Sequence, residues 1–241
     1  MSGHSKWSTI KRQKGVTDQK RGQLFGKLSR AITMAVREGG GTTDPAFNFR
    51  LRLAIDKAKA SNMPKDNIDR AVAKGAGADA DSHFEEVVYE GFGPSGVAII
   101  VEGMTDKKQR TVAEVKNIFE KNGGTFGNSG SVSYLFNKVA ELLVNKDGKS
   151  MDDILSIALE AGVEDIEEEE GKAVLDTAIP NLQNVQKVLE EQGITIEDAG
   201  IIYKPLSPMQ LSEADKEKVM LLLEKLEDNE DVQNVFTNAD L

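Results

Sequence analysis

Val139-Ala140-Glu141-Leu142-Leu143-Val144 opens the stretch whose reading decides the fold. This strand-like run is followed by a helical pattern over 152–161 and two short extended runs near 163–168 and 172–177. A second helical pattern covers 180–192, and a last strand covers 194–203. The order is βαββαβ, that of a ferredoxin-like split unit. On the N-terminal side, 83–136 reads as ββαβ. Strands over 85–90 and 97–102 are joined by Gly91-Phe-Gly-Pro-Ser-Gly96, and a helix over 111–122 leads through a flexible loop, 123–130, into a strand over 132–136. On the C-terminal side, Ser212-x-x-Asp215 resembles a capping box, starting a helix that carries Val219, Leu222, Leu223 and Leu226 ahead of a strand at 232–237. Neither flank closes a sheet alone. Together they predict one α+β layer interrupted by residues 137–205.

Further upstream, 1–17 reads as a mobile arm. From Lys20 the residues Leu24, Leu28, Ala31, Ile32 and Ala35 recur at helical spacing, while Lys20, Lys27, Arg30 and Arg37 occupy an adjoining arc of roughly 100°. Gly39-Gly40-Gly41 must end that helix. Asp44-Pro45 predicts the next start, an N-cap followed by proline, with Phe47, Leu51, Ala54, Ile55 and Ala58 on its apolar face. Asn62-Met63-Pro64 breaks it, and a third helix with Ile68, Ala71 and Val72 ends at Gly75, before a linker over 75–82. The expected fold class is α+β. A basic helical N-terminal domain of three helices (1–80) precedes two mixed α/β sandwich domains. One is discontinuous (83–136 plus 206–241); the other is ferredoxin-like and inserted into it (137–205).

Charge is segregated along this plan. The first 80 residues hold 16 Lys and Arg against seven Asp and Glu, whereas the remaining 161 hold 14 against 33. Between Lys6 and Arg37 nine basic residues face a single acid, Asp18. Ordinary helix surfaces mix the two signs, so this imbalance points to a polyanionic partner, with nucleic acid the leading class. The expected contacts are Lys6, Lys11, Arg12, Lys14, Lys20, Arg21, Lys27, Arg30 and Arg37, with Arg50 and Arg52 as weaker ones. Trp7, the sole tryptophan, either stacks on a base or pins the arm to the bundle.

The chemistry-bearing motifs weigh the other way. There is no cysteine, which excludes disulfides, thiolate metal sites and cysteine nucleophiles. The two histidines, His4 and His83, lack companions at metal spacing, so no metal and no cofactor is expected. Gly91-x-Gly93-x-x-Gly96 matches a dinucleotide fingerprint in letters, but a strand follows it and Pro94 removes an amide, so it reads as a hairpin turn. The glycine-rich loop at 123–130 runs from helix to strand, the wrong polarity for a phosphate cradle. Glu167–Glu170 is read as a solvated strand edge or a contact for a basic protein. The longest apolar run, 97–101, is too short for a membrane span, and no signal peptide is read, making the cytoplasm the expected location.

These same residues carry a family resemblance. His4-Ser-Lys-Trp7, Arg21-Gly22, Lys27-Leu28, Arg37-Glu-Gly-Gly40, Asp44-Pro45, Asn62-Met63-Pro64-Lys65-Asp66-Asn67-Ile68 and Tyr89-Glu90-Gly91 resemble the YebC/PmpR family along essentially the whole chain. Thr42-Thr43 lengthens one loop relative to that pattern. The resemblance implies a three-domain α+β protein, with a helical N-terminal domain and two mixed domains around a cleft, no catalytic residue, and a cytoplasmic DNA-binding transcriptional regulator. Relatives of the family also imply an alternative, a ribosome-associated translation factor whose arm meets ribosomal RNA and whose acidic domains meet the ribosome. Sequence-specific DNA reading is the less supported part, because the turn at 39–41 is long for a helix-turn-helix. Neither a membrane nor a small-molecule substrate is expected, and a carboxylate-based hydrolase is the remote third reading.

Overall fold

A computed structural model describes residues 18–78, 84–169 and 171–241. In chain order its first elements are α1 (Asp18–Glu38), α2 (Phe49–Ala60), α3 (Lys65–Ala73), β1 (Glu85–Phe92), β2 (Ala98–Thr105), α4 (Lys108–Lys121), β3 (Thr125–Phe126) and β4 (Phe136–Asn145). Then come α5 (Met151–Ala161), β5 (Asp165–Glu169), β6 (Lys172–Thr177), α6 (Leu182–Glu191), β7 (Ile196–Pro205), β8 (Met209–Gln210), α7 (Glu213–Glu227), β9 (Val232–Thr237) and β10 (Ala239–Asp240). The arm readings at Lys6, Trp7, Lys11, Arg12 and Lys14 lie outside the described residues, as do His4, His83 and Glu170.

The three helices share a small core. Leu28, Ile32, Ala35 and Val36 of α1 pack with Leu51, Ile55 and Ala58 of α2 and with Met63, Ile68 and Ala71. Gly75, just past α3, comes so close to α1 that a Cβ there would lie 2.6 Å from the Val36 Cβ. Helix α2 does not start at Asp44-Pro45. The Asp44 side chain accepts the Ala46 amide at 2.9 Å in a local turn, and the N-cap is Asn48, whose Oδ1 accepts the Leu51 amide at 3.1 Å. Asn48 wins because its Nδ2 also donates to the Ala35 carbonyl (2.8 Å) and the Thr42 carbonyl (3.2 Å), joining the end of α1 to the start of α2. Phe47 therefore precedes the helix and is 84% exposed. Replacing Asn48 with alanine deletes the cap and two tertiary bonds at once. A loss of about 1–2 kcal/mol is expected from the urea midpoint, and an unshifted midpoint would refute the role.

Two four-stranded sheets follow. The first has the order β3-β1-β2-β9, antiparallel throughout, with α4 and α7 on one face. Val97, Ile99 and Val101 bury among those helices, while Ala98 and Ile100 bury on the opposite face beside Ile202 and Phe236. Burial on both sides explains why 97–101 is continuously apolar rather than alternating. The Gly91–Gly96 segment is the expected hairpin turn, closed by the Gly93 amide on the Val97 carbonyl at 2.8 Å.

The strand expected at 132–136 is not formed. Ser133–Leu135 is a 3-10 turn, and β4 begins only at Phe136. The sheet's outer strand is β3, inside the glycine-rich loop, pairing Gly91 with Phe126 and Phe92 with Thr125. Missing side chains permit this approach: a Cβ on Gly91 would lie 2.7 Å from both the Thr125 carbonyl and the Phe119 ring.

The second sheet has the order β5-β6-β4-β7, with α5 and α6 on one face around Leu142, Ile154, Leu175, Leu182 and Leu189. Its strands and helices run βαββαβ, as the sequence predicts. Phe136 pairs with Pro205, and the Leu206 amide donates to the Leu135 carbonyl at 2.9 Å, so this unit's entry and exit lie side by side. The fold class is α+β, with the ferredoxin-like unit inserted between strands of the first sheet. No helix among the described residues is long and apolar enough to cross a membrane.

Candidate nucleic-acid interface

The basic arc of α1 meets another part of the same chain. Lys20 Nζ lies 3.4 Å from Glu224 and 3.5 Å from Asp228, at the C-terminal end of α7. Lys27 donates to the Glu227 carbonyl, at the negative end of that helix's dipole. Arg30 Nη1 reaches Asp231 Oδ1 at 2.9 Å. Positions one or two turns apart on α1 are thus matched by acceptors one turn apart on α7 and beyond it. Asp228, with Glu224 behind it, holds the Lys20 ammonium above its ordinary value. Both partners of the Lys20 pairs remain partly exposed, so salt screens these pairs and their worth is within about 1 kcal/mol.

The other expected contacts scatter. Arg21 is exposed, and Arg37 is half-buried in the last turn of α1. Arg50 bridges Glu38 and Glu86, tying the bundle to β1. Arg52 lies over the Phe49 ring at 5.6 Å. Sequence reasoning missed Arg70 and Lys74, which line a cleft with Arg30 between α1 and α3. Helical spacing sets Arg70 and Lys74 side by side, and only the tertiary fold brings Arg30 and Phe84 to them.

Arg30 ends at a buried junction. Asp231 is 4% exposed, and its Oδ2 also accepts Arg110 Nη2 (2.7 Å), Thr111 Oγ1 (2.7 Å) and Thr105 Oγ1 (3.1 Å). Burial by itself would raise this carboxyl, but the hydrogen bonds from Arg110, Thr111 and Thr105 hold it below the usual carboxylate range. One carboxylate therefore joins α1, β2 and α4. A second buried carboxylate, Glu90, fixes the glycine-rich loop. It accepts the amides of Gly130 (2.8 Å), Val132 (2.7 Å) and Ser133 (2.9 Å). Its own carbonyl takes the Gly127 amide at 2.8 Å. The segment expected to be a flexible loop is held along its length from β1.

Acidic residues collect on the second sheet's face away from its helices. Lys204 sits among Asp165 (3.0 Å), Glu167 (3.3 Å) and Asp176, and Lys146 pairs with Glu168. The acidic run is a charged edge strand as expected, but partly neutralised by lysines. Among the described residues no group of three or more His, Cys, Asp or Glu is arranged to hold a metal. Nearby, Glu141 has its Oε2 sealed from solvent though part of the residue is accessible. Desolvation first, then Asp176 beside it, pushes its carboxyl up to about 8. The folded chain thus keeps a proton that the unfolded chain releases near about 4.3. Its contribution to stability is full at acid pH and fades as pH rises through that interval. Glu141→Gln should flatten this decline. Thermal melts from pH 5 to 9 that fall equally in both proteins would contradict it.

Comparison with known proteins agrees along the whole chain. A family model described as the TACO1/YebC protein N-terminal domain matches residues 5–78, and one described as the TACO1/YebC second and third domain matches 84–239. A probable transcriptional regulatory protein of Syntrophus aciditrophicus is 50% identical over all of this chain and 96% of its own length. One from Acidithiobacillus ferrooxidans is 48% identical over all of this chain and 95% of its own. The crystal structure of a conserved hypothetical protein from Aquifex aeolicus superposes with a TM-score of 0.83 at 44% identity, covering 92% of this chain and 91% of that one.

Proposed function

This chain belongs to the TACO1/YebC family, and from that premise we propose that it is a non-enzymatic, cytoplasmic regulator of gene expression that binds nucleic acid through its cationic N-terminal module. The observation that carries the reading is the charge segregation: nine basic residues against one acid between Lys6 and Arg37, in a chain of net charge −10. Relatives named as probable transcriptional regulatory proteins support it. Phosphate contacts from such a module supply affinity by releasing counterions, and carry no base readout. In this reading the chain divides into 1–80, 83–136 with 206–241, and 137–205.

Lys11, Arg12 and Lys14 are the cations to reverse, because three positive charges fall within four positions of the sequence. The triple change to glutamate should weaken binding at least ten-fold at physiological salt. It should also lower the slope of log K against log salt by about 0.7–0.9 per lost contact. An unchanged slope would move the surface elsewhere.

A second reading, a translation factor bound to ribosomal RNA, is favoured by one observation. The basic arc of α1 is docked on α7, which leaves it poorly placed to lie in a major groove. Co-sedimentation with ribosomes, together with equal affinity for scrambled duplexes, would select this reading. Sequence-dependent duplex binding without ribosome retention would select DNA.

A further inference from the structure

The cleft between α1 and α3 has a volume of about 420 Å³ and opens to solvent. That size lies within the range of small-ligand sites. Arg30, Arg70 and Lys74 line it together with Phe25 and Phe84, and none of its lining residues, among those described, carries a carboxylate. In a chain with 40 acidic residues against 30 basic ones, Arg70 and Lys74 share this wall with no carboxylate, while Arg30 is already held by Asp231. Arg70 is steadied by its own helix, through the Asp66 carbonyl (3.1 Å) and the Asn67 side chain. A guanidinium has five N–H donors, so the rest of the fork is left for an anion.

The helix that forms one wall is shaped for close approach. Gly26 lines the cleft, and a Cβ added there would meet nothing nearer than Arg30 Nη2 at 4.0 Å. Gly22, one turn earlier, has nothing within 4 Å. Glycine inside a helix weakens it relative to alanine, and no contact among the described residues requires either one.

We infer that this cleft binds one unpaired nucleotide of a single strand, with the base against Phe25 and Phe84 and the phosphate on Arg70 and Lys74. The inference rests on the nucleic-acid reading above and specifies the form of strand bound. Aromatic rings recognise any base through its π-face, and cations take the phosphate beside it. A duplex cannot use the site, because its bases are stacked and paired. RNA and single-stranded DNA share this chemistry, and the ribose hydroxyl separates them only if the cleft reads it.

The test is fluorescence anisotropy of the full chain with labelled 12-nucleotide RNA, the matching DNA strand, and the blunt duplex. Wild type should prefer both single strands to the duplex. Phe84→Ala should weaken single-strand binding about ten-fold, the share of one lost stack, with duplex binding unchanged. Arg70→Ala with Lys74→Ala should lower the single-strand salt slope by about 0.7, the share of the one phosphate the two cations hold. Gly26→Leu separates binding from folding. It should leave the melting temperature equal or higher while filling the cleft, and should weaken single-strand binding about ten-fold. Folded variants that bind single strands as wild type does would overturn the cleft assignment and leave the proposed function standing. A wild type that binds none of the three strands in dilute buffer would overturn the proposed function itself.

Discussion

Asp231→Ala is expected to lower the unfolding free energy by about 3–5 kcal/mol, the range seen when one member of a buried, hydrogen-bonded ion pair is deleted. The change leaves Arg30, with 18% of its side chain exposed, facing a void, and takes an acceptor from the buried hydroxyls of Thr105 and Thr111. Because Arg30 belongs to α1 and the hydroxyls to β2 and α4, the loss also loosens the helical module from the first sheet. Urea melts should show a lower midpoint. Amide exchange should rise along the contact between α1 and the end of α7, whereas Arg30→Ala should cost less because Arg110 still holds the carboxylate. The pH dependence has a definite sign. A carboxyl held low in the folded state stabilises above its unfolded value of about 3.9, and that stability is lost as pH falls through the lower folded value. Asp231→Asn should therefore lack part of the wild-type acid sensitivity. A variant as stable as wild type at neutral pH would show that the junction is not a structural tie.

Glu90→Ala should cost about 3 kcal/mol or more, because three backbone amides lose their acceptor together and each orphaned donor costs about 1–3 kcal/mol where water cannot reach it. Glutamine is not a mild substitute here. Oε2 accepts two amides, from Val132 and Ser133, and Oε1 accepts the Gly130 amide. Whichever way the amide group is placed, an NH2 faces an N–H. Glu90→Gln should thus retain only part of the stability, and hydrogen exchange at Gly130, Val132 and Ser133 should accelerate in both variants. Protection at those three amides equal to wild type would refute the assignment. The desolvation of Glu90 is outweighed by the three amides, which keep its carboxyl below the ordinary value, so this contribution too is lost on the acid side.

Both residues show where sequence reading stops. The hydrophobic periods of α1, α5, α6 and α7 and the βαββαβ order are local quantities: each residue's burial is encoded in spacing along its own element. Strand β3 has two residues and no period. It exists because Gly91 and Gly124 leave room for backbone to pair across the sheet edge. The start of α2 is decided beyond the local sequence for a related reason. Asp44-Pro45 and Asn48 are both acceptable caps locally, and the Ala35 and Thr42 carbonyls decide between them.

From its residues alone, this protein was legible as an α+β chain with a ferredoxin-like insertion and a cationic head on anionic domains. Composition and periodicity are additive along the chain and survive without coordinates. Only the tertiary structure revealed that the cations of α1 face the acidic end of α7 some 200 residues later, that Asp231 gathers two arginines and two threonines, and that Arg70 and Lys74 meet Phe84 around a cleft. Such pairings depend on which distant surfaces fit together, a sum over many contacts that leaves no mark in the spacing of any one segment.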